Sequence, residues 1–353
     1  MAKTSIVGLD IGSTAVRAVE LSFGSGGPGK SEATMVNFAQ APVPQGALQD
    51  GEVVEPNTVS AVIKNVWAQG KFSTKDVVIG VGNQRVIVRE ADLPWRPYSE
   101  LKGSLPYQAQ QLLPTAAQDA LLDYVPTGEY EASDGRLVQG LFVAAIRETV
   151  TANILAAEGA GLRPLMVDLN PFAIMRPQIQ GQLQSHTVAF VDIGARITNV
   201  IIAEHGVPRF VRVIPHGGQE ATDAVAHAMQ ATAVEAERMK RELGVGFQTT
   251  PDRQHIADAL LNVTTTLVEG IRSTFVYYGS KGLGKSIDVI MLTGGGSLLH
   301  GLGQFLSSVT RLPVQLGNPF ENIRVRKGTD LSSVQGQEQT IAVATGLALG
   351  DPR

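Results

Sequence analysis

Phe190-Val191-Asp192-Ile193-Gly194-Ala195-Arg196-Ile197-Thr198-Asn199-Val200 is the stretch on which the fold is read. An apolar run enters Asp-x-Gly, turns tightly and leaves as a second apolar run, the pattern of two strands joined by a short hairpin. A near-copy opens the chain: Ile6-Val7-Gly8-Leu9-Asp10-Ile11-Gly12-Ser13-Thr14-Ala15-Val16-Arg17-Ala18-Val19-Glu20-Leu21. One such hairpin is an ordinary turn. Two suggest a duplicated unit with a ligand between the copies.

Working outward, 353 residues of which 43% are hydrophobic imply about two domains with sizeable cores. A net charge of -4 weighs against nucleic acid as the main partner, because phosphate binding wants a basic patch. The absence of cysteine excludes disulfides and thiolate catalysis and argues against zinc fingers. The first residues run straight into a strand without a signal-peptide pattern, and no apolar run of about 18 residues occurs. The expectation is a cytoplasmic protein without a membrane span.

In order, the pattern predicts two strands and a tight turn over 4–21, then a third strand near 35–38 after a Gly/Ser/Pro loop. Pro56 and Asn57 open a helix with Val59, Val62, Ile63, Val66 and Trp67 on one face, and 76–81 is a buried strand. Residues 86–94 read as strand then loop, 99–113 as a helix ending near Pro114, and 121–125 and 138–146 as strands around a polar loop at 126–136. An Ala-rich helix over 148–161 stops at Gly161. Residues 85–165 thus form an α+β insertion. A strand at 165–169, a helix opened by Asn170-Pro171, and three strands at 187–192, 199–205 and 209–214 follow. A helical block occupies 219–280, a buried strand 288–293, a helix the residues from 298, a last strand 313–316, and a small-residue helix 339–349. Hairpin, strand, helix, strand and insertion occur twice, which is an α/β architecture.

The Asp-x-Gly turn has a chemical use. Its backbone N–H groups can face an anion, and Gly lets a phosphate come close. The Asp can hold Mg²⁺ through water. Ser13 and Thr14 add hydroxyl donors, and Arg17 can reach a phosphate. A third element, Thr293-Gly294-Gly295-Gly296-Ser297-Leu298-Leu299, lets backbone approach a flat ligand or its phosphates.

Together these elements resemble the actin, Hsp70 and sugar-kinase ATPase superfamily over essentially the whole chain. Within it the chain resembles the PilM family of type IV pilus assembly proteins, itself similar to the division protein FtsA. The carrying stretches are 8–21, the strands between Val77 and Val88, Leu93-Pro94, and Met166-Val167-Asp168-Leu169-Asn170-Pro171-Phe172-Ala173. The place of the 85–165 insertion also matches. The resemblance implies duplicated actin-like (ribonuclease H-like) domains with an FtsA-type insertion. The first core subdomain is 1–84 with 339–353, the second is 166–215 with 285–338, and 216–284 is a helical subdomain flanking the nucleotide.

It further implies ATP and Mg²⁺. Asp10, Gly12, Ser13, Thr14 and Arg17 fall on the first phosphate loop, where the family more often carries Lys at the last position. Asp192, Gly194, Ala195, Thr198 and Asn199 fall on the second, with Asp10 and Asp192 on Mg²⁺ through water. Glu237 and Lys240 match the helix that brackets ribose and adenine; alone, they would read as an exposed charged helix face. Gly294, Gly295, Gly296 and Ser297 match the adenosine loop. Asp168 falls where the superfamily often keeps a polar residue near the attacking water. Two readings stay open for it, a catalytic residue or a cap on the helix at Asn170-Pro171.

The implied function is a cytoplasmic ATP-binding scaffold, peripheral at the inner face of the membrane. It would grip the N-terminal cytoplasmic peptide of PilN in a groove between the first subdomain and the insertion. The resemblance leaves room for other pilus platform proteins, pilus motor ATPases and a homo-oligomer, and for weak or absent ATPase activity. A sugar or acetate kinase is the enzyme alternative, with Asp168 as its one candidate base. An FtsA-like division protein is the other alternative, but that family carries a C-terminal amphipathic helix, whereas this sequence stops at Gly350-Asp351-Pro352-Arg353. Gln108, Gln110 and Gln111 stand where the family often has an acidic residue. The six histidines lack metal-ligand spacing. The P-loop letters of 279–286 follow a helix and precede a strand, the reverse of a working P-loop, and read as a chance match.

Overall fold

The two Asp-Gly hairpins become the centres of two separate sheets. The structure, a computed structural model, describes residues 4–113, 119–133, 135–280 and 286–352. Most of the P-loop-like letters lie outside the described residues.

In the first half, β1 (Thr4–Ile11), β2 (Ala15–Phe23) and β3 (Ala33–Pro42) form an antiparallel meander. A short ladder of β4 (Leu48–Gln49) and β5 (Glu52–Val53) leads to helix α1 (Pro56–Gly70). Proline suits the first helical turn because its φ is already helical and no N–H is needed there. Strand β6 (Asp76–Val81) then pairs parallel with β1. The insertion consists of β7 (Val86–Pro94), α2 (Tyr98–Leu112), β8 (Ala120–Ala132) and β9 (Gly135–Ile146), and its strands lie in the order β7-β9-β8. Helix α3 (Arg147–Gly159) and strand β10 (Arg163–Leu169) close the half, and α4 (Asn170–Met175) leaves it.

The second half repeats the plan. β11 (Thr187–Ile193), β12 (Thr198–Glu204) and β13 (Val207–Ile214) form the meander. Helices α5 (Gly218–Met229), α6 (Ala233–Leu243) and α7 (Gln254–Ser280) follow. β14 (Val289–Thr293) pairs parallel with β11 as β6 does with β1. Then come α8 (Leu302–Thr310), β15 (Val314–Leu316), β16 (Arg324–Val325) and α9 (Ala342–Ala348). The sheet orders, β10-β6-β1-β2-β3-β16 and β13-β12-β11-β14-β15, make the duplication explicit.

Strand alternation sorts side chains between two cores. Ile6, Val19 and Leu21 join Phe190, Ile201 and Met291 of the other sheet in a core shared with α4 and α9. Val7, Leu9 and Ala18 face α1 and α3 instead. In the second sheet Val191, Ile193 and Val200 pack against α7 and α8. The central layer is thin because glycine makes it so. A Cβ on Gly8 would lie 1.9 Å from the Ala344 carbonyl oxygen of α9, and one on Gly346 1.8 Å from that of Ala173 in α4.

Several sequence expectations shift. β7 runs unbroken to Pro94, where an edge strand ends and the missing N–H is harmless. The polar loop expected at 126–136 is mostly strand, since β8 reaches Ala132 and β9 starts at Gly135; its solvent-facing residues are polar and mimic a loop. The helix expected from 298 starts as a 3-10 turn over Gly295–Leu298, and α8 begins only at Leu302. β10 pairs with β6 and β16 with β3, so both lie in the first sheet, although 166–215 and 285–338 read as second-half sequence.

Inside the insertion the Tyr124 hydroxyl lies 2.8 and 2.7 Å from the Ala91 and Val138 carbonyl oxygens, which share its one proton, so a single buried ring joins three strands. Tyr124→Phe strands these acceptors and is expected to lower stability by about 1–3 kcal/mol, measurable by urea denaturation.

Candidate functional site

Asp10 and Asp192 occupy equivalent registers. Asp10 lies opposite Arg17 across β1–β2, and Asp192 opposite Asn199 across β11–β12. The turns are closed alike: Gly12 N–H donates to the Ala15 carbonyl at 3.1 Å and Gly194 N–H to that of Ile197 at 2.9 Å. A Cβ on Gly194 would lie 2.8 Å from the latter oxygen, so this turn takes glycine alone without shifting.

Both carboxylates are buried, at 8% and 7% exposure. Burial pushes Asp10 up to about 6, with the Arg17 guanidinium pulling it back. Burial pushes Asp192 up to about 7; the charge of Asp10 adds to the rise, while a hydrogen bond from Asn199 and the charge of Arg17 oppose it. The Asp10 charge is felt at Asp192, so the two hairpins bring their buried carboxylates within electrostatic reach of one another. Arg17 Nη1 sits 3.8 Å from Asp10 Oδ2, and its Nε is buried without a hydrogen-bond partner, as is Asn199 Oδ1. Two buried carboxylates within electrostatic reach, beside an unpaired donor on Arg17 and an unpaired acceptor on Asn199, form a setting that an outside cation and acceptor would relieve.

Two glycine segments converge on the second turn. Gly218 and Gln219, opening α5, donate their N–H groups to the Gly194 and Ala195 carbonyls at 2.9 and 2.8 Å. Gly294 has φ +79°, and a Cβ there would lie 2.5 Å from Asp192 Oδ1. A Cβ on Gly296 would meet Ile193 Cγ2 at 2.3 Å, and one on Gly218 would lie 3.6 Å from Gly296 Cα. Tertiary packing, rather than turn type alone, therefore selects glycine at 294 and 296.

A Thr232–Glu235 capping box starts α6. The helix delivers Lys240, at 9% exposure, whose Nζ donates to the Gly218 carbonyl at 3.1 Å and to Thr222 Oγ1 at 2.9 Å. Its ammonium also pairs with Glu237 Oε2 at 2.6 Å. Burial pushes the Glu237 carboxyl up, but hydrogen bonds from Lys240, Thr222 and Arg241 more than offset it and hold it low. The pair is a clamp on the α5 entrance rather than the exposed helix face that its spacing alone suggests.

Other expected residues are spoken for differently. Thr198 Oγ1 donates to the His216 carbonyl at 2.8 Å, and Ser297 Oγ to that of Gly294 at 2.6 Å, so both hydroxyls brace loops. Ser13 is half-buried and Thr14 exposed at the first turn; Ala195 lies half-buried in the second, and Gly295 is exposed in the 3-10 turn. Asp168 does not cap α4, whose start has no side-chain cap. It forms an ion pair with Arg176, which also donates to the Gly346 carbonyl at 3.2 Å. Asp168→Asn should therefore cost about 1–3 kcal/mol of stability and leave nucleotide affinity within twofold, by denaturation and titration.

The sequence reading treated Asn170 only as a helix opener. Its side chain lies over β6: a Cβ on Gly80 would meet Asn170 Oδ1 at 2.1 Å, and one on Gly82 its Cβ at 2.7 Å. Oδ1 is buried without a partner. The Gly80-x-Gly82 spacing opposite Asn-Pro was the available signal. Among the described residues no cluster of three or more His, Cys, Asp or Glu forms, so a cation in the cleft would rest on two carboxylates and outside oxygens.

The sequence profile of the family described as type IV pilus assembly protein PilM matches residues 8–351. The chain belongs to that family. A solved chain of a PilM–PilN type IV pilus biogenesis complex is 29% identical, with a TM-score of 0.84, covering 98% of this chain and 97% of that one. MreB5 of Spiroplasma citri, solved bound to ADP, has a TM-score of 0.56 at 12% identity over 97% of this chain and 94% of its own, and shares the fold. Cell division protein FtsA of Bacillus subtilis (strain 168) is 23% identical over 228 residues, 58% of this chain and 52% of the relative. FtsA of Neisseria meningitidis serogroup B is 25% identical over 234 residues, 60% and 56%. The chain spans about half the length of these FtsA relatives. The PilM family, with these neighbours, makes the duplicated α/β fold actin-like.

Proposed function

We propose that this PilM-family chain is an ATP-binding scaffold of type IV pilus assembly, which holds the cytoplasmic N-terminal peptide of PilN at the inner face of the membrane. The observation that carries the nucleotide half is that the Asp10 and Asp192 carboxylates are both buried and within electrostatic reach of one another. A magnesium nucleotide suits what is there: repelling buried carboxylates, unpaired atoms on Arg17 and Asn199, and glycine-walled turns. Asp10 and Asp192 would hold Mg²⁺ through water. Backbone N–H groups around Gly12–Thr14 and Gly194–Ala195 would face the phosphates, with Arg17 adding charge and Thr198 and Asn199 lining the second turn. Glu237 and Lys240 would flank ribose and adenine, against Gly294, Gly295, Gly296 and Ser297. Bound Mg²⁺ supplies the positive charge that this pair of carboxylates lacks.

The partner half is supported by the likeness to a chain of a PilM–PilN complex over nearly the whole length. The proposed groove lies between the first sheet and the insertion, whose edge strand β7 offers main-chain pairing to an extended peptide. No helix among the described residues is long and apolar enough to cross a membrane. The kinase alternative gains no support, because Asp168 is held by Arg176. The test is titration of the full chain with a synthetic PilN N-terminal peptide, with and without ATP and Mg²⁺. Saturable binding is expected; no binding under either condition overturns the partner assignment.

A further inference from the structure

The β4–β5 hairpin has no part in the nucleotide site, yet it joins that site to the insertion. Its turn, Asp50-Gly51, is left-handed at both residues, with φ +49° and +80°. The second of these conformations favours glycine, and the tip is in close contact there: a Cβ on Gly51 would lie 3.3 Å from Ile197 Cγ1 and 3.4 Å from Asn83 Cβ. Ile197 is the residue whose carbonyl closes the second Asp-Gly turn. A hairpin of the first half thus rests its tip on the phosphate turn of the second half.

The next residue reaches the other way. Glu52 Oε1 pairs with Arg85 Nε at 2.7 Å, and Thr149 Oγ1 donates to Glu52 Oε2 at 3.4 Å. Arg85 directly precedes β7, where the chain enters the insertion, and Thr149 lies in the first turn of α3, where it leaves. Arg85 is further held by Asn83, whose Oδ1 accepts its N–H at 3.0 Å, and its carbonyl accepts Ile146 N–H at 3.2 Å. Asn83 is itself buried and touches the hairpin tip. Behind the tip, Val53 is buried against the α1 and α3 core, so the hairpin moves only with that layer.

We infer that the hairpin over 48–53 is a strap that couples the two sites: its tip senses the position of the second phosphate turn, and Glu52 passes that position to the two chain crossings of the insertion. Two discrete seatings of Gly51 on Ile197, with the cleft empty or filled, would set two orientations of the insertion and so two affinities for a peptide held beside it. This inference rests on the function proposed above, and the test separates the two.

Peptide titrations of the wild type, Glu52→Gln and Ile197→Ala are made with and without ATP and Mg²⁺. In the wild type the nucleotide should change peptide affinity by about fivefold or more, the lower end of ordinary allosteric coupling. In both variants the change should fall below about twofold, while Glu52→Gln binds ATP as the wild type does. Peptide affinity indifferent to nucleotide in the wild type, or full coupling retained in both variants, overturns the strap. If the wild type binds no ATP, the function proposed above fails, and hydrogen exchange decides on the strap alone. Ile197→Ala should then speed amide exchange at both 48–53 and 85–87, and unchanged exchange at 85–87 overturns it.

Discussion

Asp192→Ala is expected to weaken ATP–Mg²⁺ binding by about 100-fold or more while the protein stays folded, because one of two buried carboxylates facing the cation is lost. Equilibrium titration with a fluorescent ATP analogue and circular dichroism read the two halves of the result. Unchanged affinity would refute the site. The isosteric Asp192→Asn tests the electrostatics separately. Burial and the Asp10 charge raise the folded-state Asp192 to about 7, well above its ordinary value of 3.8. The folded protein therefore holds a proton that the unfolded chain has released. That contribution to stability is complete below about pH 4 and is lost as pH rises through about 6 to 7. The ligand-free wild type should lose thermal stability between pH 5 and pH 8. Asp192→Asn should lose less, and should melt above the wild type at pH 8. Mg²⁺ should restore wild-type stability at pH 8 when nucleotide is present, and nucleotide affinity should fall as pH drops below about 7, since protons compete for the same carboxylate.

Gly346→Ala is expected to be strongly destabilising, against helix propensity. In a helix, Ala is worth about 1 kcal/mol more than Gly. Yet Gly346 lies in α9 where a Cβ would stand 1.8 Å from the Ala173 carbonyl oxygen of α4, a backbone atom that cannot swing aside. α4 and α9 are the layer between the sheets, and parting them opens the shared core. A cost of about 3 kcal/mol or more is expected, toward the upper end of overpacking penalties. Urea denaturation measures it. A neutral or stabilising result would mean that the two helices slide apart without loss. Gly279→Ala is the control, since among the described residues nothing lies within 4 Å of a Cβ at that glycine near the end of α7.

How much was legible in the sequence depended on whether the signal was local. The hairpins at 10–17 and 192–199 could be read because alternation and Asp-x-Gly lie within one turn of chain. The strand at 289–293 and the helices α1 and α3 were legible for the same reason. β8 and β9 were read short because their exposed faces are polar, and polarity is also the mark of a loop. The ion pair of Asp168 with Arg176 could not be read from the sequence, because Arg176 lies beyond a helix and no spacing rule links them. The hydroxyls of Thr198 and Ser297 brace the His216 and Gly294 carbonyls, contacts that no local pattern in the sequence announces. Glu237 and Lys240 had the spacing of a solvent-facing pair, and only the approach of Gly218 buries the lysine.

By itself the sequence determined the duplicated α/β plan, the family, and the two acidic turns, because periodicity and turn chemistry are properties of neighbouring residues. Only the tertiary structure decided that the charge of Asp10 reaches Asp192, that Asn170 covers Gly80 and Gly82, and that the 48–53 hairpin touches Ile197. Each of those depends on backbones packing closely between residues far apart in the chain, where burial and the field of a distant charge set the chemistry.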